Sequence, residues 1–233
     1  VGVGFFLFAP FHEGTRIFLE QHFWLKFSFF ALFLANVVRS VIFDAGVMSH
    51  LWSVCVEEQF YLAWPFLMKQ FSHRFLTMAG SIIGGILLLR IVFAYWNIYY
   101  PLGETNHTSW MLVESAGKFL TWSRVDCMAI GGIGAWLLIH KKTGITRILF
   151  HPVFQILCYL LMLLFIISRV DLGFLHHDVF GLLSLVLIMN VSSNPKSLLS
   201  FENRVMHSLG KISYGLYLYH PFVYLLLVYF LPA

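Results

Sequence analysis

The sequence predicts an all-α protein: a polytopic transmembrane helical bundle with about seven full spans plus a partial one. Of the 233 residues, 59% are hydrophobic and only 11% are charged, whereas a soluble domain carries about 25% charged residues. The mean hydropathy is +0.80, and apolar runs recur along the whole chain. Lipid must therefore be the solvent for much of its surface.

The predicted spans are apolar segments that mostly approach the ~20 residues a membrane-crossing helix needs. The segments 27–43 and 52–68 are short, and His176, His177 and Asp178 interrupt the start of 173–191. Because both ends of the chain lie in or next to apolar runs, we expect 1–233 to be one transmembrane domain that is truncated at both ends. The segments lie at about 1–9 (the partial one), 27–43, 52–68, 76–96, 119–140, 149–168, 173–191 and 212–231.

The distribution of Lys and Arg predicts the orientation of the helices. Four alternate connections hold ten basic residues, whereas 44–51, 97–117 and 169–172 hold one, which is the positive-inside pattern of membrane proteins. This pattern places 10–26, 69–75, 141–148 and 192–211 in the cytoplasm and the C-terminal end of the chain outside. Since the net charge of +4 belongs to these loops, we do not assign it to nucleic-acid binding.

Three basic and three acidic residues lie within the apolar segments. A charge at the bilayer centre costs at least about 2.5–3.5 kcal/mol, so such residues usually pair or face a wet cavity. In the predicted orientation four helices carry them in the outer half of the membrane, and a shared polar cavity that opens outward explains this distribution. The alternative is structural ion pairing, with Arg side chains snorkelling to the interface. The six residues are Arg39, Glu57, Glu58, Arg90, Arg124 and Asp126.

The stretch 50–65, HLWSVCVEEQFYLAWP, carries the densest polar and aromatic pattern. Ser53 is placed to cap a helix whose first turns contain Glu57, where the helix dipole favours anions. Glu57 and Tyr61 are four residues apart and share a helix face. Glu57, Gln59 and Tyr61 are therefore candidates for hydrogen bonds to a polyhydroxylated ligand. Glu57 could also orient a catalytic imidazole or pair with an Arg.

A second stretch, 123–135, reads SRVDCMAIGGIGA. Arg124 and Asp126 are two residues apart, so they do not face each other on a helix and each needs another partner. Small side chains follow them and permit the close approach of another helix. These are Gly131, Gly134 and Ala135.

A third stretch, 209–221, reads LGKISYGLYLYHP and leads into the last apolar segment. His220, immediately before Pro221, is interpreted as a hydrogen-bonded core histidine at a kink, with catalysis as the alternative. The aromatic residues of the first stretch are interpreted as packing and interfacial anchors. The residues assigned to the structural motif are Trp52, Glu58, Tyr214 and His220.

Together these stretches resemble the integral-membrane acyltransferase 3 family, which O-acylates sugars and other extracytoplasmic acceptors. The stretch 50–65 is similar to the family's WSLSVEEQFYLLWP signature. The stretches 123–135 and 209–221 resemble its R-[FL]-D-x-[LM]-x-x-G-x-x-A and LGxISYxLYLxHxP helices. The resemblance implies transfer of an acyl group, commonly acetyl, to a hydroxyl of a sugar or lipid-linked glycan. Acyl-CoA (acetyl-CoA) is then the donor substrate, and neither a bound cofactor nor a metal is expected.

The resemblance also implies which residues form the site. A base must deprotonate the acceptor hydroxyl, and the family's histidine for this role lies on a first helix that this sequence does not show. The catalytic residue is therefore unknown, and we expect the chain alone to be inactive. The residues expected to bind acceptor hydroxyls, steady an oxyanion or shape the site are Glu57, Arg124, Asp126, Arg39, Arg90, Ser53, Gln59 and Tyr61.

Two other classes of function remain open. In a transporter or channel the same intramembrane charges would line a permeation path, and a non-catalytic membrane partner would keep the fold without the chemistry. The expected partners are the lipid bilayer, acyl-CoA and a carbohydrate or lipid-linked glycan acceptor, with no nucleic acid. The expected location is a bacterial inner membrane, because a family member of this compact form is most common there.

Overall fold

The computed structural model describes residues 23–37, 50–99, 114–120 and 123–230, and all regular secondary structure in these ranges is helical. The all-α fold class is therefore confirmed for this part of the chain. The α-helices with defined bounds are α1 (Phe23–Ala31), α2 (Trp52–Phe71), α3 (Phe75–Tyr99), α4 (Val125–Ile139), α5 (Thr143–Leu149), α6 (Pro152–Ser168), α7 (His176–Ser193) and α8 (Arg204–Phe230).

The chain divides into two compact units. The first contains 1–62, 111–123 and 202–233, and the second contains 63–110 and 124–201. The first unit thus holds α1, the start of α2 and α8, while α3 to α7 belong to the second. The expectation of a single domain over 1–233 stays a prediction.

In the second unit α4 packs against both α3 and α7, and α7 packs in turn against α6. The contact between α3 and α4 is apolar, with Phe75, Met78 and Ala79 meeting Ala129. A second apolar cluster joins α6 and α7. Its buried members are Cys158, Leu183 and Val186.

Small residues bring α4 close to its neighbours, at positions that only partly match the prediction. A Cβ atom at Gly134 would collide with the side chain of Leu185 on α7. A Cβ atom at Gly132 would lie 2.8 Å from the ring of Trp64. Gly131 faces open space. The prediction of close approach is confirmed at Gly134, was wrong at Gly131, and missed Gly132.

The predicted connection at 69–75 is part of a helical stretch. A single 3₁₀ turn, Ser72–Arg74, joins α2 to α3, and Trp52–Trp96 form one candidate span of 45 residues. The charged residues of 69–75 predict a polar boundary, but the segment contains no Gly or Pro to end the helix.

The number of spans is not confirmed. Two described stretches, Trp52–Trp96 and Gly173–Ser193, are long and apolar enough to cross a membrane, and a third results if α5 and α6 form one broken span. The count of about seven full spans plus a partial one, and the orientation, stay predictions. Helix α6 packs against α7 through Cys158 and exposes a broad apolar face on its other side. The side chains of this face include Val153, Ile156, Leu157, Leu160, Leu164 and Ile167.

The 56° bend between α5 and α6 has a local cause. Pro152 opens α6, as proline favours the first position of a helix, and the last carbonyl groups of α5 lose their helical donors. Buried amides replace those donors. Gln155 Nε2 donates to the Phe150 carbonyl oxygen at 2.9 Å, and Asn190 Nδ2 donates to that of Leu149 at 3.0 Å. Side-chain amides thus provide hydrogen bonds to the backbone carbonyl groups that the break leaves without helical donors.

Candidate functional site

A buried ionic cluster joins three helices of the second unit. Nη1 of Arg90, on α3, lies 2.7 Å from Oδ2 of Asp126 on α4 and 2.9 Å from Oδ2 of Asp178 on α7. The same nitrogen is 3.5 Å from the carbonyl oxygen of Phe174. Arg90 and Asp126 are only 6% and 1% exposed. One guanidinium therefore compensates two carboxylates where water is scarce.

The cluster does not use all of its hydrogen-bonding groups. Nε and Nη2 of Arg90 and Oδ1 of Asp126 are buried without a hydrogen-bond partner among the described residues. Oδ2 of Asp126 contacts Arg90 as an ion pair at 2.7 Å and, like Oδ1, has no hydrogen-bond partner in this part of the chain. A buried polar atom without a partner costs about 1–3 kcal/mol. The cluster therefore joins three helices at a substantial cost in desolvation free energy.

Arg124 stands immediately before α4 in an unusual backbone conformation. Its φ of 47° and ψ of 26° lie in the left-handed region, which costs a non-glycine residue about 1–2 kcal/mol. The predicted segment 119–140 is broken at this residue. The guanidinium Nη2 lies 3.4 Å from Nε2 of His177. Arg124 and Asp126 thus have different partners, as their spacing of two residues requires.

His177 is held by its backbone as well. The thiol of Cys127, in the first turn of α4, donates to the His177 carbonyl oxygen at 3.4 Å. The adjacent His176 has its Nδ1 3.7 Å from Oδ1 of Asp171 and its ring against Phe180. Its ring also lies edge-on to the His177 ring, at a centroid distance of 5.4 Å. The two neighbouring histidines therefore contact each other but have different polar partners.

His177 and Asp178 are functional candidates that the sequence analysis missed. Both residues lie at the start of the segment 173–191 and were interpreted as interruptions of it. The signal that could have found them is the one that identified Arg90: an ionisable side chain within an apolar segment.

In the first unit, the stretches 50–65 and 209–221 meet. Ser53 Oγ and the Tyr217 hydroxyl are in hydrogen-bond contact. The Tyr217 hydroxyl also donates to the His50 carbonyl oxygen at 2.8 Å, and Ser53 Oγ donates to it at 3.3 Å. The His50 ring lies edge-on to the rings of Tyr217 and His220, at centroid distances of 5.5 and 5.2 Å. Ser53 therefore joins the first turn of α2 to a residue of α8. It lies inside the helix and donates to a carbonyl oxygen, so the prediction of a helix cap was wrong, because α2 begins one residue earlier at Trp52.

His220 makes the structural contact expected beside a proline. Pro221 lies inside α8 and has no N–H, so the Tyr217 carbonyl loses its helical donor. Nδ1 of His220 lies 2.6 Å from that carbonyl oxygen and replaces the donor. The residue is exposed, so the interpretation as a core histidine was wrong, because helix α8 presents this side to the surface.

Gln59 is engaged by protein groups. Its Nε2 donates to the Phe33 carbonyl oxygen at 2.6 Å and to Asn36 Oδ1 at 3.0 Å. Its Oε1 accepts from Asn36 Nδ2 at 3.0 Å. Asn36 is fully buried. This reciprocal amide pair ties α2 to the chain after α1 and leaves Gln59 little capacity to bind a ligand.

The family model for the acyltransferase domain matches residues 2–233. The chain belongs to the acyltransferase 3 family. Its Arg-x-Asp stretch supplies Asp126 to the ionic cluster of the second unit, and its other two motifs meet in the first.

Relatives of this acyltransferase 3 chain occur in Staphylococcus aureus. Proteins of strains COL, MSSA476 and N315 that carry the name Putative O-acetyltransferase are each 26% identical to it over 191 residues. The match covers 74% of this chain and 29% of each relative. The chain therefore spans less than a third of the length of these curated relatives. No solved structure matches the fold significantly.

The structure places the remaining site candidates of the acyltransferase 3 chain as follows. Glu57 is exposed and Glu58 is half-buried. Tyr61 and Tyr214 are 63% and 57% exposed, and Trp52 is half-buried. Arg39 lies outside the described residues. The structure thus brings Arg90, Arg124 and Asp126 together, while the ligand-binding role of Glu57 and Tyr61 stays a prediction.

Proposed function

We propose that the full-length protein is a membrane-bound O-acyltransferase. It moves an acyl group, acetyl in the first instance, from acyl-CoA to a hydroxyl of a sugar or lipid-linked glycan in a bacterial inner membrane. The observation that carries the proposal is the family match over 2–233. The names of the S. aureus relatives support O-acetyl transfer, and the candidate membrane spans support catalysis within a bilayer.

The chemistry requires a group that stabilises negative charge. The acceptor oxygen attacks the thioester carbonyl carbon, the carbon–sulfur bond breaks, and CoA leaves as a thiol that carries away the hydroxyl proton. Between these events the carbonyl oxygen is negatively charged, and preorganised donors aimed at that oxygen account for much of the catalysis.

Arg124 is the best-placed donor among the described residues. It is half-buried at the start of α4, always charged, and able to donate several hydrogen bonds in a fixed plane. Arg90 lies deeper and faces two carboxylates, so its role is to support Arg124. Glu57 is exposed and is proposed to bind a hydroxyl of the acceptor.

Labelling of membrane glycans tests the proposal. Membranes from cells that express the full-length gene are incubated with radiolabelled acetyl-CoA, and incorporation is compared for wild type, Arg124→Gln, Glu57→Gln and the exposed control Arg147→Gln. Loss of one oxyanion donor is expected to lower kcat by about 10²–10³-fold in Arg124→Gln. The control should match wild type.

Two outcomes would contradict the proposal in different ways. If no acyl-CoA labels any acceptor in a broad panel, the protein is a transporter or a non-catalytic partner. If labelling occurs and Arg124→Gln retains it, the transfer is real but Arg124 is not the oxyanion donor.

A further inference from the structure

Both carboxylates of the ionic cluster are close in sequence to the Arg124 contact, one to Arg124 itself and the other to its partner His177. Asp126 follows Arg124 by two residues, and Asp178 directly follows His177, the residue that contacts the Arg124 guanidinium. Arg90 binds both carboxylates through one nitrogen atom, at 2.7 and 2.9 Å. The position of the Arg124 backbone and the position of its side-chain partner are thus set by the same guanidinium.

The backbone of Arg124 needs such an anchor. Its left-handed conformation, with φ of 47°, is unfavourable and persists only where the surroundings hold it. Asp126, 1% exposed, holds the first turn of α4 against Arg90. Without this contact the chain before α4 would relax and the guanidinium would move.

The side chain of Arg124 is oriented from the other helix. Nη2 of Arg124 donates towards Nε2 of His177 at 3.4 Å, which requires the imidazole proton on Nδ1. Asp178 fixes the first turn of α7 through Arg90, and Cys127 holds the His177 carbonyl oxygen. His177 therefore presents its ring from a turn that is fixed at two points.

We propose that His177 and Asp178 are positioning residues that hold the Arg124 guanidinium where the acyl carbonyl oxygen becomes negative. This inference rests on the proposed function. The substrate group concerned is the thioester carbonyl of an acyl-CoA under attack by a hydroxyl. His177 and Asp178 touch neither reactant and act through Arg124.

A double-mutant cycle between Arg124 and His177 tests this assignment. The full-length enzyme is purified as wild type, His177→Ala, Arg124→Lys and the double variant, and kcat and KM for acetyl-CoA are measured on each. His177→Ala is expected to lower kcat by about 10- to 100-fold with little change in KM, as misplacement of a catalytic group does. In the Arg124→Lys background the same substitution should cost less than about twofold, because effects acting through one residue are not additive.

Matched controls separate positioning from general damage. His176→Phe removes the adjacent imidazole and keeps an aromatic ring edge-on to the His177 ring, and Asp171→Asn is the exposed counterpart of Asp178→Asn. Both controls should keep wild-type kcat, whereas Asp178→Asn should behave as His177→Ala does. His177→Gln, whose amide oxygen also accepts a hydrogen bond, should recover part of the loss.

The outcomes distinguish this inference from the proposed function. Equal losses from His177→Ala in both backgrounds, or a loss in His176→Phe of the same size, would overturn the positioning role while acyl transfer stands. Absence of transfer in the wild type would refute the proposed function. Melting temperatures of the same four proteins then test the contact itself: non-additive shifts support it, and additive shifts overturn it.

Discussion

Replacement of Arg90 by Met tests whether the buried cluster is structural or serves chemistry. Met keeps most of the length of the side chain and removes the charge that compensates Asp126 and Asp178. Both carboxylates, whose Oδ2 atoms lie 2.7 and 2.9 Å from the deleted nitrogen, would then be buried near each other without a counterion. Breaking a buried ion pair from one side costs about 3–5 kcal/mol.

The fully neutral variant should behave differently. In Arg90→Met with Asp126→Asn and Asp178→Asn no charge remains in the cluster, and neutral replacement of a buried ion pair costs little or even stabilises. For a domain of 150–250 residues, each kcal/mol lost from the free energy of unfolding lowers the melting temperature by about 2–4 °C. Arg90→Met alone should therefore melt about 10 °C lower than wild type, and the triple variant should regain most of that loss.

The assay is the thermal transition of the full-length protein in detergent, followed by Trp fluorescence. Arg147→Met, at an exposed position, is the matched control. A melting temperature for Arg90→Met equal to that of the control would refute the assignment of Arg90 as the counterion of both carboxylates. A triple variant that regains stability without regaining acyl transfer would show that the charges serve the reaction.

Three further substitutions have expected outcomes in the same assays. Asn190→Leu deletes the amide that donates to the Leu149 carbonyl oxygen and should lower the free energy of unfolding by about 2–3 kcal/mol. Ser193→Ala, at an exposed position, should leave it unchanged. Equal melting temperatures for the two variants would contradict this prediction. Gly134→Ala should overpack the contact between α4 and α7 and lower the free energy of unfolding by about 1–3 kcal/mol. A Cβ atom at Gly131 meets no neighbouring element within 4 Å, so Gly131→Ala serves as its control. Gln59→Leu should lower the melting temperature and leave kcat per folded molecule unchanged, because the Gln59 amide binds Asn36. A fall in kcat without a fall in melting temperature would instead show that Gln59 contributes to the ligand site.

The fold class and the membrane environment could be predicted from the sequence because they depend on local properties. An apolar side chain prefers lipid wherever its neighbours lie, so composition and the length of apolar runs suffice. The same reasoning identified Arg90, Arg124 and Asp126 as charges that require partners. It did not locate the helix ends reliably, since charged residues such as those of 69–75 mark a boundary without breaking a helix.

Only the tertiary structure determined which residues these charged and polar side chains contact. Spacing along the chain shows which side chains share a face of one helix, and it excluded a contact between Arg124 and Asp126. Spacing could not show that Arg90 would bridge Asp126 and Asp178, or that Gln59 would be occupied by Asn36. Contacts between helices depend on how far each helix rotates and how closely it packs. Those quantities come from the packing of all the side chains together, so the ionic cluster exists only in the folded chain.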